Sequence, residues 1–112
     1  MLTLYVLKSC DTCRKARKAL DSSGHPYQVH ELRDDGVSAA LLEHFLLSVP
    51  VMTLLNKRST TWRELPDSTK ADADANKARE LMLAHPTLIK RPLLDTGDDI
   101  LVGYRDGDYD TL

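Results

Sequence analysis

LTLYVLKSCDTCRKARKALDSSGHPYQVHEL, residues 2–32, is the stretch that decides the fold of this 112-residue chain. Its first six residues carry no charge and mix leucine with β-branched and aromatic side chains, which predicts a short strand covered on both faces. Residues 27–32 (YQVHEL) alternate apolar and polar side chains, as a half-buried strand does. A helix between the two strands would make them parallel neighbours through a right-handed crossover. The stretch therefore predicts a βαβ unit.

The residues between these strands have the pattern of an amphipathic helix. From Thr12 to Ser22 the sequence places Ala16, Ala19 and Leu20 on one face and basic side chains on the others. A pair of serines and then Gly24 follow, and these residue types end helices. The helix therefore begins close to the two cysteines of the chain.

The remainder of the chain predicts several helices followed by a hairpin. Its predicted elements are a helix at 38–47 capped by Ser38, short helical turns joined by a polar loop at 48–66, a helix from Asp72 to His85 ended by Pro86, strands at 92–95 and 100–102 around the turn 96–99, and a brief terminal helix from about Asp106. Together with the βαβ unit, this order predicts an α/β fold.

Composition and charge are those of an ordinary globular protein, with 42% hydrophobic and 29% charged residues and a net charge of -2. We therefore expect no direct nucleic-acid binding. No apolar stretch approaches the roughly 18 residues of a membrane span, and the apolar segment 1–7 is too short for the core of a signal peptide. The sequence predicts a cytoplasmic monomer, in a compartment where a Cys-x-x-Cys pair is catalytic, redox-sensing or metal-binding.

The first cysteine of the pair has the chemistry of a nucleophile. Cys10 follows the first strand and lies at the N-terminal end of the predicted helix, where backbone N–H groups and the helix dipole favour a thiolate. We expect Lys8, Arg14 and any cation from elsewhere in the chain to lower its pKa and Asp11 to oppose them. Cys13, one helical turn further on, is placed to resolve a mixed disulfide by bonding to Cys10.

Two other interpretations of the cysteine pair remain open at this point. A structural zinc site needs four ligands, and the residues that could complete it, with no finger-like spacing, are His25, His30, His44 and His85. Two buried and unreactive cysteines would also satisfy the spacing, because free cysteine is often a core residue. We expect no bound metal, because the strand-to-helix context is the one that thiol chemistry requires.

Three motifs give the chain a family resemblance. CDTCRKA at 10–16, LLNKRSTTWREL at 54–65 and HPTLIKRP at 85–92 resemble the arsenate reductase-like (ArsC) family in content, order and spacing. The resemblance implies a thioredoxin-like core, made of the βαβ unit plus a C-terminal β-hairpin and helix. It also implies that residues 1–112 form a single ArsC-type domain with a helical insertion at about 36–86.

The resemblance also implies a set of site residues. Cys10 would be the nucleophile, with Arg91 reaching its sulfur or a bound oxyanion and Pro92 following in a cis peptide. A planar guanidinium suits both tasks, because it stabilises a thiolate and binds tetrahedral oxyanions in bidentate fashion. The alternative for Arg91 is a surface salt bridge. The residues expected to contact substrate are Asp11, Thr12, Arg14, Arg58 and Pro92.

The chain departs from the true arsenate reductases of the family, which carry two further arginines around the anion. Asn56 stands at the first of these positions, and Gly103 and Tyr104 stand where the second is expected. A hydrogen bond to a charged group is worth about 1.5–3 kcal/mol, so the loss weakens arsenate as a substrate. Lys57 and Arg58 are either compensating cations or solvated loop charges.

Three functions follow from the residues and the resemblance together. The leading hypothesis is a thiol-dependent reductase without a bound cofactor, restored by glutathione or by a thioredoxin- or glutaredoxin-type protein. The second is an Spx-type transcription regulator that binds an RNA polymerase subunit and uses the same sulfurs as a redox switch. The third is arsenate reduction itself. The reductase and the regulator differ in whether Cys10 turns over substrate or reports redox state.

Overall fold

The computed structural model describes residues 2–71, 74–110 and 112. The chain divides into two compact units, one made of Met1–Asp35 and Arg91–Leu112 and the other of Gly36–Lys90. The helices of the segment interpreted as an insertion lie in the second unit. The assignment of all 112 residues to a single domain stays a prediction.

The βαβ unit opens the chain as predicted. Strand β1 (Leu2–Val6) leads into helix α1 (Asp11–Ser23), which returns to strand β2 (Tyr27–Glu31). The two strands pair in parallel, with Leu2 opposite Tyr27 and Val6 opposite Glu31. Gly24 ends α1 with a φ of 77°, a left-handed conformation that glycine adopts without a Cβ clash.

The predicted hairpin completes the sheet of the first unit. Strands β3 (Leu93–Asp95) and β4 (Ile100–Val102) pair antiparallel, and β3 also pairs antiparallel with β1. The strand order is β2-β1-β3-β4, so β1 is flanked on both sides. This is the sheet expected for a thioredoxin-like core, and it places the end of β1, which runs into Cys10, at the middle of the sheet.

Helix α1 buries one face in the core of the first unit. Its buried residues are Cys13, Ala16 and Leu20, the last two of which the sequence pattern assigned to this face. They form a cluster with strand residues and one C-terminal aromatic residue: Leu4, Val6, Leu94 and Tyr109. Cys13 is only 1% exposed, so the packing that orders α1 also removes the second sulfur from solvent.

The second unit is helical. Its elements are α2 (Ala39–Leu46), α3 (Val51–Leu54), α4 (Thr60–Glu64), α5 (Asp67–Ala71), α6 (Ala75–Ala84) and a 3₁₀ turn (Pro86–Leu88). Ser38 caps α2 as predicted, because its Oγ accepts a hydrogen bond from the Leu41 amide at 3.1 Å. Part of the helix expected at 72–85 falls on Asp72 and Ala73, which lie outside the described residues, and its described portion begins at Ala75.

The prediction of a brief helix from about Asp106 is wrong for the residues of this segment that the structure describes. Residues 106–110 form turns, in which the Asp108 amide donates to the Arg105 carbonyl and the Asp110 amide to the Gly107 carbonyl. Each bond spans three residues, and Gly107 has a φ of 92°. A residue in the left-handed region interrupts a right-handed helical backbone, so these hydrogen-bonded turns do not continue as a helix.

Within the described part of the chain, no helix has the length and apolar character needed to cross a bilayer.

Candidate active site

Cys10 is the N-cap residue of α1, where the loop after β1 turns into the helix. Its backbone is extended, with φ -92° and ψ 118°. The Cys10 amide donates to the Leu7 carbonyl, and the Cys10 carbonyl accepts from the Arg14 amide, both at 3.1 Å. The residue is held by its backbone on both sides, and its side chain is only partly buried. A sulfur in this position is ordered and still reachable.

The surroundings of Cys10 favour its ionised form. Partial burial alone would raise the pKa of the Cys10 thiol, but the Cys13 backbone N–H, the Cys13 thiol and the Arg91 guanidinium all lower it. The net result is a pKa below the ordinary value for cysteine. The physical cause is the one expected at a helix N-terminus with a nearby cation, since both stabilise negative charge on sulfur.

The second cysteine has the opposite environment. Burial raises the pKa of the Cys13 thiol to about 12, and the hydrogen bond and charge of Cys10 act in the same direction. The Leu7 backbone and the Arg91 charge oppose these effects without cancelling them. Both cysteines are free thiols, so the pair is in its reduced form. One sulfur is thereby prepared to ionise and the other to keep its proton.

Arg91 and Pro92 lie at the start of the β-hairpin. The Arg91–Pro92 peptide is cis, as the family resemblance implied. Pro92 is buried, and its carbonyl accepts a hydrogen bond from the Gly103 amide at 2.8 Å, which ties this segment to the end of β4. The guanidinium of Arg91 lowers the pKa of Cys10 by its charge and by a hydrogen bond. The structure therefore brings Cys10, Cys13 and Arg91 together.

The two other cations near Cys10 are engaged by carboxylates. Lys8 pairs with Asp34, and Arg14 pairs with Asp11 one turn along α1. These side chains are largely exposed, and Thr12 is exposed on the same helix. Of the cations expected to act on the thiol, Arg91 lowers the pKa of Cys10, and Lys8 and Arg14 are not among the causes of the shift. Substrate contacts by Asp11, Thr12 and Arg14 stay predictions.

Arg58 lies in the second unit, in the loop before α4. Its backbone amide donates to Asn56 Oδ1 at 3.1 Å, and its side chain is exposed. Asn56 is the residue that stands where the family's true arsenate reductases carry an arginine. The contribution of Arg58 to a substrate site stays a prediction.

A metal centre has no support among the described residues 2–71, 74–110 and 112, where no group of three or more His, Cys, Asp and Glu side chains could hold an ion. His25 instead has its Nε2 3.1 Å from the Leu112 carbonyl, and the His30 ring lies 5.1 Å from the ring of Tyr5.

Tyr109 is a neighbour of Cys13 that the sequence analysis did not identify. It is 3% exposed and packs in the same core cluster, with its ring 4.7 Å from that of Tyr104. Its hydroxyl has no hydrogen-bond partner among the described residues. Burial raises the pKa of Tyr109, as do the charges of Tyr104, Asp108 and Cys13. The only sequence signal was an aromatic residue within a run of aspartates, which resembled a solvated turn.

Comparison with protein families gives one match over nearly the whole chain: the ArsC family model matches residues 5–112. An uncharacterized protein of Haemophilus influenzae is 36% identical over 109 residues, which cover 97% of this chain and 96% of that protein. The global transcriptional regulator Spx of Listeria innocua is 29% identical over 111 residues, covering 95% of this chain and 82% of the regulator.

Solved structures agree with this match. The YFFB (PA3664) protein is 40% identical and superposes with a TM-score of 0.91, covering 99% of this chain and 97% of its own. An arsenate reductase (ArsC) related protein from Brucella melitensis is 41% identical, with a TM-score of 0.79 and coverage of 98% and 92%. The thioredoxin-like α/β fold expected from the motifs is confirmed by these neighbours.

Proposed function

Because the chain belongs to the ArsC family, we propose that it is a thiol-dependent reductase with Cys10 as nucleophile and Cys13 as resolving thiol. The observation that supports this most directly is the contrast between the two sulfurs. The pKa of the partly exposed Cys10 is lowered and that of the buried Cys13 is raised, so Cys10 forms a thiolate more readily than Cys13 does.

The first step is attack on a disulfide of the substrate. The Cys10 thiolate bonds to one substrate sulfur, the substrate S–S bond breaks, and the other sulfur leaves as a thiolate that takes a proton from solvent. Arg91 stabilises the Cys10 thiolate before attack. In this proposal it also contacts anionic groups of the partner, a task that suits a guanidinium. The product is a mixed disulfide at Cys10.

The second step is resolution by Cys13. Formation of the mixed disulfide removes the negative charge of Cys10, which is one of the contributions that raise the pKa of Cys13. Cys13 then loses its proton and attacks the Cys10 sulfur, which forms a Cys10–Cys13 disulfide and releases the bound substrate as a thiol. Two electrons pass from the cysteine pair to the substrate disulfide. Two glutathione molecules, or a dithiol protein of the thioredoxin or glutaredoxin type, return them.

A coupled assay tests the proposal. Hydroxyethyl disulfide and glutathione are mixed with the protein, and NADPH oxidation is followed through glutathione reductase. Cys10→Ser should reduce the rate to that of the protein-free mixture, because the remaining thiol, Cys13, is buried and keeps its proton. Cys13→Ser should accumulate a mixed disulfide at Cys10 that intact-mass spectrometry detects. The matched control is Lys18→Gln on the exposed face of α1, which should keep the full rate. Full activity of Cys10→Ser would contradict the mechanism.

An Spx-type regulator is the second candidate, supported by the similarity to several proteins of that name over 95% of the chain. Here the Cys10–Cys13 disulfide would act as a switch for binding an RNA polymerase subunit. Pull-down from lysate with the oxidised and the reduced protein tests it. Retention of a polymerase subunit in one redox state only would support the regulator, and absence of the subunit in both states would remove it.

Arsenate reduction is the third candidate. Asn56, Gly103 and Tyr104 occupy the positions at which the true arsenate reductases of the family carry arginines. We therefore expect arsenate to be a poor substrate. Addition of arsenate to the same assay, with glutathione and a glutaredoxin, measures this directly, and turnover above the Cys10→Ser background would restore the arsenate hypothesis.

A further inference from the structure

The second unit contains a cavity whose lining is strongly basic. Its volume is about 400 Å³, and the lining residues are Met52, Leu55, Asn56, Lys57, Arg58 and Lys90. Half of these residues are cations and none is acidic, although the chain as a whole has a net charge of -2. Cavities of this size hold small organic ligands. The lining is therefore positively charged, whereas the chain as a whole has a negative net charge.

The three cations are not neutralised by the residues that the structure describes. Lys57 Nζ lies 5.6 Å from the centre of the Trp62 ring, a cation–π contact that leaves its charge in place. The side chains of Arg58 and Lys90 form no ion pair or hydrogen bond with a described residue. Elsewhere in the chain, Lys8, Arg14, Lys70 and Arg79 are each paired with a carboxylate. Like charges gathered without counter-charges favour an anion between them.

The backbone holds the walls of this cavity in register. The Asn56 amide donates to the Leu88 carbonyl at 2.7 Å, and the Lys90 amide donates to the Leu54 carbonyl at 2.9 Å. Leu55 and Ile89 form an isolated antiparallel bridge between the same two segments. Asn56 Oδ1 also accepts from the Arg58 amide at 3.1 Å, which shapes the turn that carries Lys57 and Arg58. The cations therefore project from a tied framework, which reduces the ordering cost of binding.

From these features we propose that the cavity binds a small organic anion with two or more negative charges and a short aliphatic segment. Three cations around one space match a ligand that carries several carboxylate or phosphate oxygens. Met52 and Leu55 supply an apolar wall for the aliphatic part, and Met52 is 43% exposed. This inference gives Arg58, which the sequence analysis expected to contact substrate, a place in an anion site of the second unit that involves no cysteine and no electron transfer.

Tryptophan fluorescence offers a direct measurement. Trp62 is the only tryptophan of the chain, and Lys57 lies over its ring, so an anion that engages Lys57 should change the emission. The probes are citrate for carboxylates and inorganic pyrophosphate for phosphates, with acetate as the singly charged control. The protein used is the full chain with Cys10→Ser and Cys13→Ser, so that a failure of the proposed reductase activity cannot affect the result.

We expect saturable binding of citrate, pyrophosphate or both, and the tighter probe identifies the acid group preferred. Arg58→Gln and Lys90→Gln should each weaken binding about 10-fold, because each removes a charged hydrogen-bond donor. Lys90→Arg should keep most of the affinity, and Lys18→Gln on α1 should keep all of it. Higher NaCl should weaken binding through screening.

Two-dimensional NMR locates the site independently of the fluorophore. The amide resonances of Lys57, Arg58 and Lys90 should shift on titration, while those of α1 should not. The proposal is overturned if neither anion gives a saturable response, if acetate binds equally well, or if Lys18→Gln weakens binding as much as Lys90→Gln. Unchanged thermal unfolding of the variants separates lost binding from lost folding.

Discussion

At the residue scale, the two sulfurs show how position sets reactivity. Cys10 and Cys13 are separated by a single helical turn, yet one has a lowered pKa and the other a pKa raised to about 12. The difference follows from the helix geometry, because the N-cap residue faces first-turn amides whereas the residue three positions on faces the core. The charge of Arg91 lowers the pKa of both sulfurs, and its hydrogen bond to Cys10 lowers the pKa of that sulfur further.

The first prediction concerns the ionisation of Cys10. The rate of iodoacetamide alkylation at Cys10, located by tandem mass spectrometry, should rise with pH along a titration whose midpoint lies below about 8.5, the value of a free thiol. Arg91→Ala should move that midpoint to higher pH, because a cation that favours the thiolate is lost. Arg33→Ala is the matched control, since Arg33 is exposed. An unchanged midpoint in Arg91→Ala would mean that the guanidinium does not act on the sulfur.

The second prediction concerns the buried hydroxyl of Tyr109. Tyr109→Phe removes a polar atom that has no partner among the described residues, so we expect unfolding free energy to stay level or to rise by up to about 1 kcal/mol. Tyr27→Phe is the contrasting variant, because the Tyr27 hydroxyl donates to Asp21 Oδ1 at 2.6 Å. It should lose about 0.5–1 kcal/mol in urea unfolding. A larger loss in Tyr109→Phe than in Tyr27→Phe would show that the Tyr109 hydroxyl has an unrecognised role.

At the element scale, the helices are bounded by local side-chain chemistry. Ser38 Oγ accepts from the Leu41 amide and Asp74 Oδ1 from the Lys77 amide, each at the start of a helix of the second unit. These bonds satisfy amides that have no partner inside the helix. The capping residue and the amide that it binds are only three residues apart, so the sequence alone predicts Ser38 as a helix cap. The terminal segment lacks such a signal, and its Gly107 favours turns instead.

The third prediction tests the two caps. Ser38→Ala and Asp74→Ala should each lower the unfolding free energy by about 1 kcal/mol, the usual cost of removing a capping oxygen. The control is Ser22→Ala, an exposed serine inside the last turn of α1, where alanine is a better helix former and no loss is expected. Circular dichroism during urea titration provides the measurement. Equal losses at all three positions would mean that the capping bonds contribute nothing specific.

At the scale of the whole molecule, the second cysteine and the tyrosines share one direction of pKa shift. Cys13 and all of the tyrosines have a pKa raised above the ordinary value, and burial is the leading cause for each. The tyrosines are Tyr5, Tyr27, Tyr104 and Tyr109. A group that ionises more easily in the unfolded chain favours unfolding once the pH passes its unfolded pKa.

The fourth prediction is a loss of stability at alkaline pH. Between about pH 9 and 11 the Cys13 thiol and the phenols ionise more readily in the unfolded chain than in the folded chain, so the unfolding free energy should fall with pH. The buried Cys13 thiol, with its pKa of about 12, contributes a slope of at most about 1.4 kcal/mol per pH unit. Cys10 behaves oppositely: its lowered pKa stabilises the folded state above its unfolded pKa, and that contribution is lost as pH falls through the folded value.

Urea midpoints measured across this pH range test the prediction. Cys13→Ser replaces a titrating thiol by a hydroxyl of similar size that does not ionise here, so the decline should become shallower in that variant. A midpoint that stays constant from about pH 9 to 11 in the unmodified protein would show that these groups are not sequestered from solvent.

Several structural features of this protein depend only on residues that are close together in the sequence, and these features could be predicted from the sequence. The βαβ unit, the hairpin strands, the Ser38 cap and helices α2 and α6 follow from side-chain periodicity and turn residues within short windows. The position of Cys10 at the start of a helix could also be predicted from the sequence, because the strand, the cysteine and the helix follow one another along the chain. The family motifs added Arg91 and its cis proline.

The tertiary structure was needed to separate the cation that acts on the Cys10 sulfur from the cations that are engaged by carboxylates. Lys8 and Arg14 are close to Cys10 in the sequence, but they pair with Asp34 and Asp11. Arg91, which is 81 residues further along the chain than Cys10, acts on the thiol. Tyr109 reaches the Cys13 cluster in the same way. Electrostatic and packing interactions act through space and fall off over a few ångströms, so they depend on how the chain returns on itself and not on spacing along the sequence.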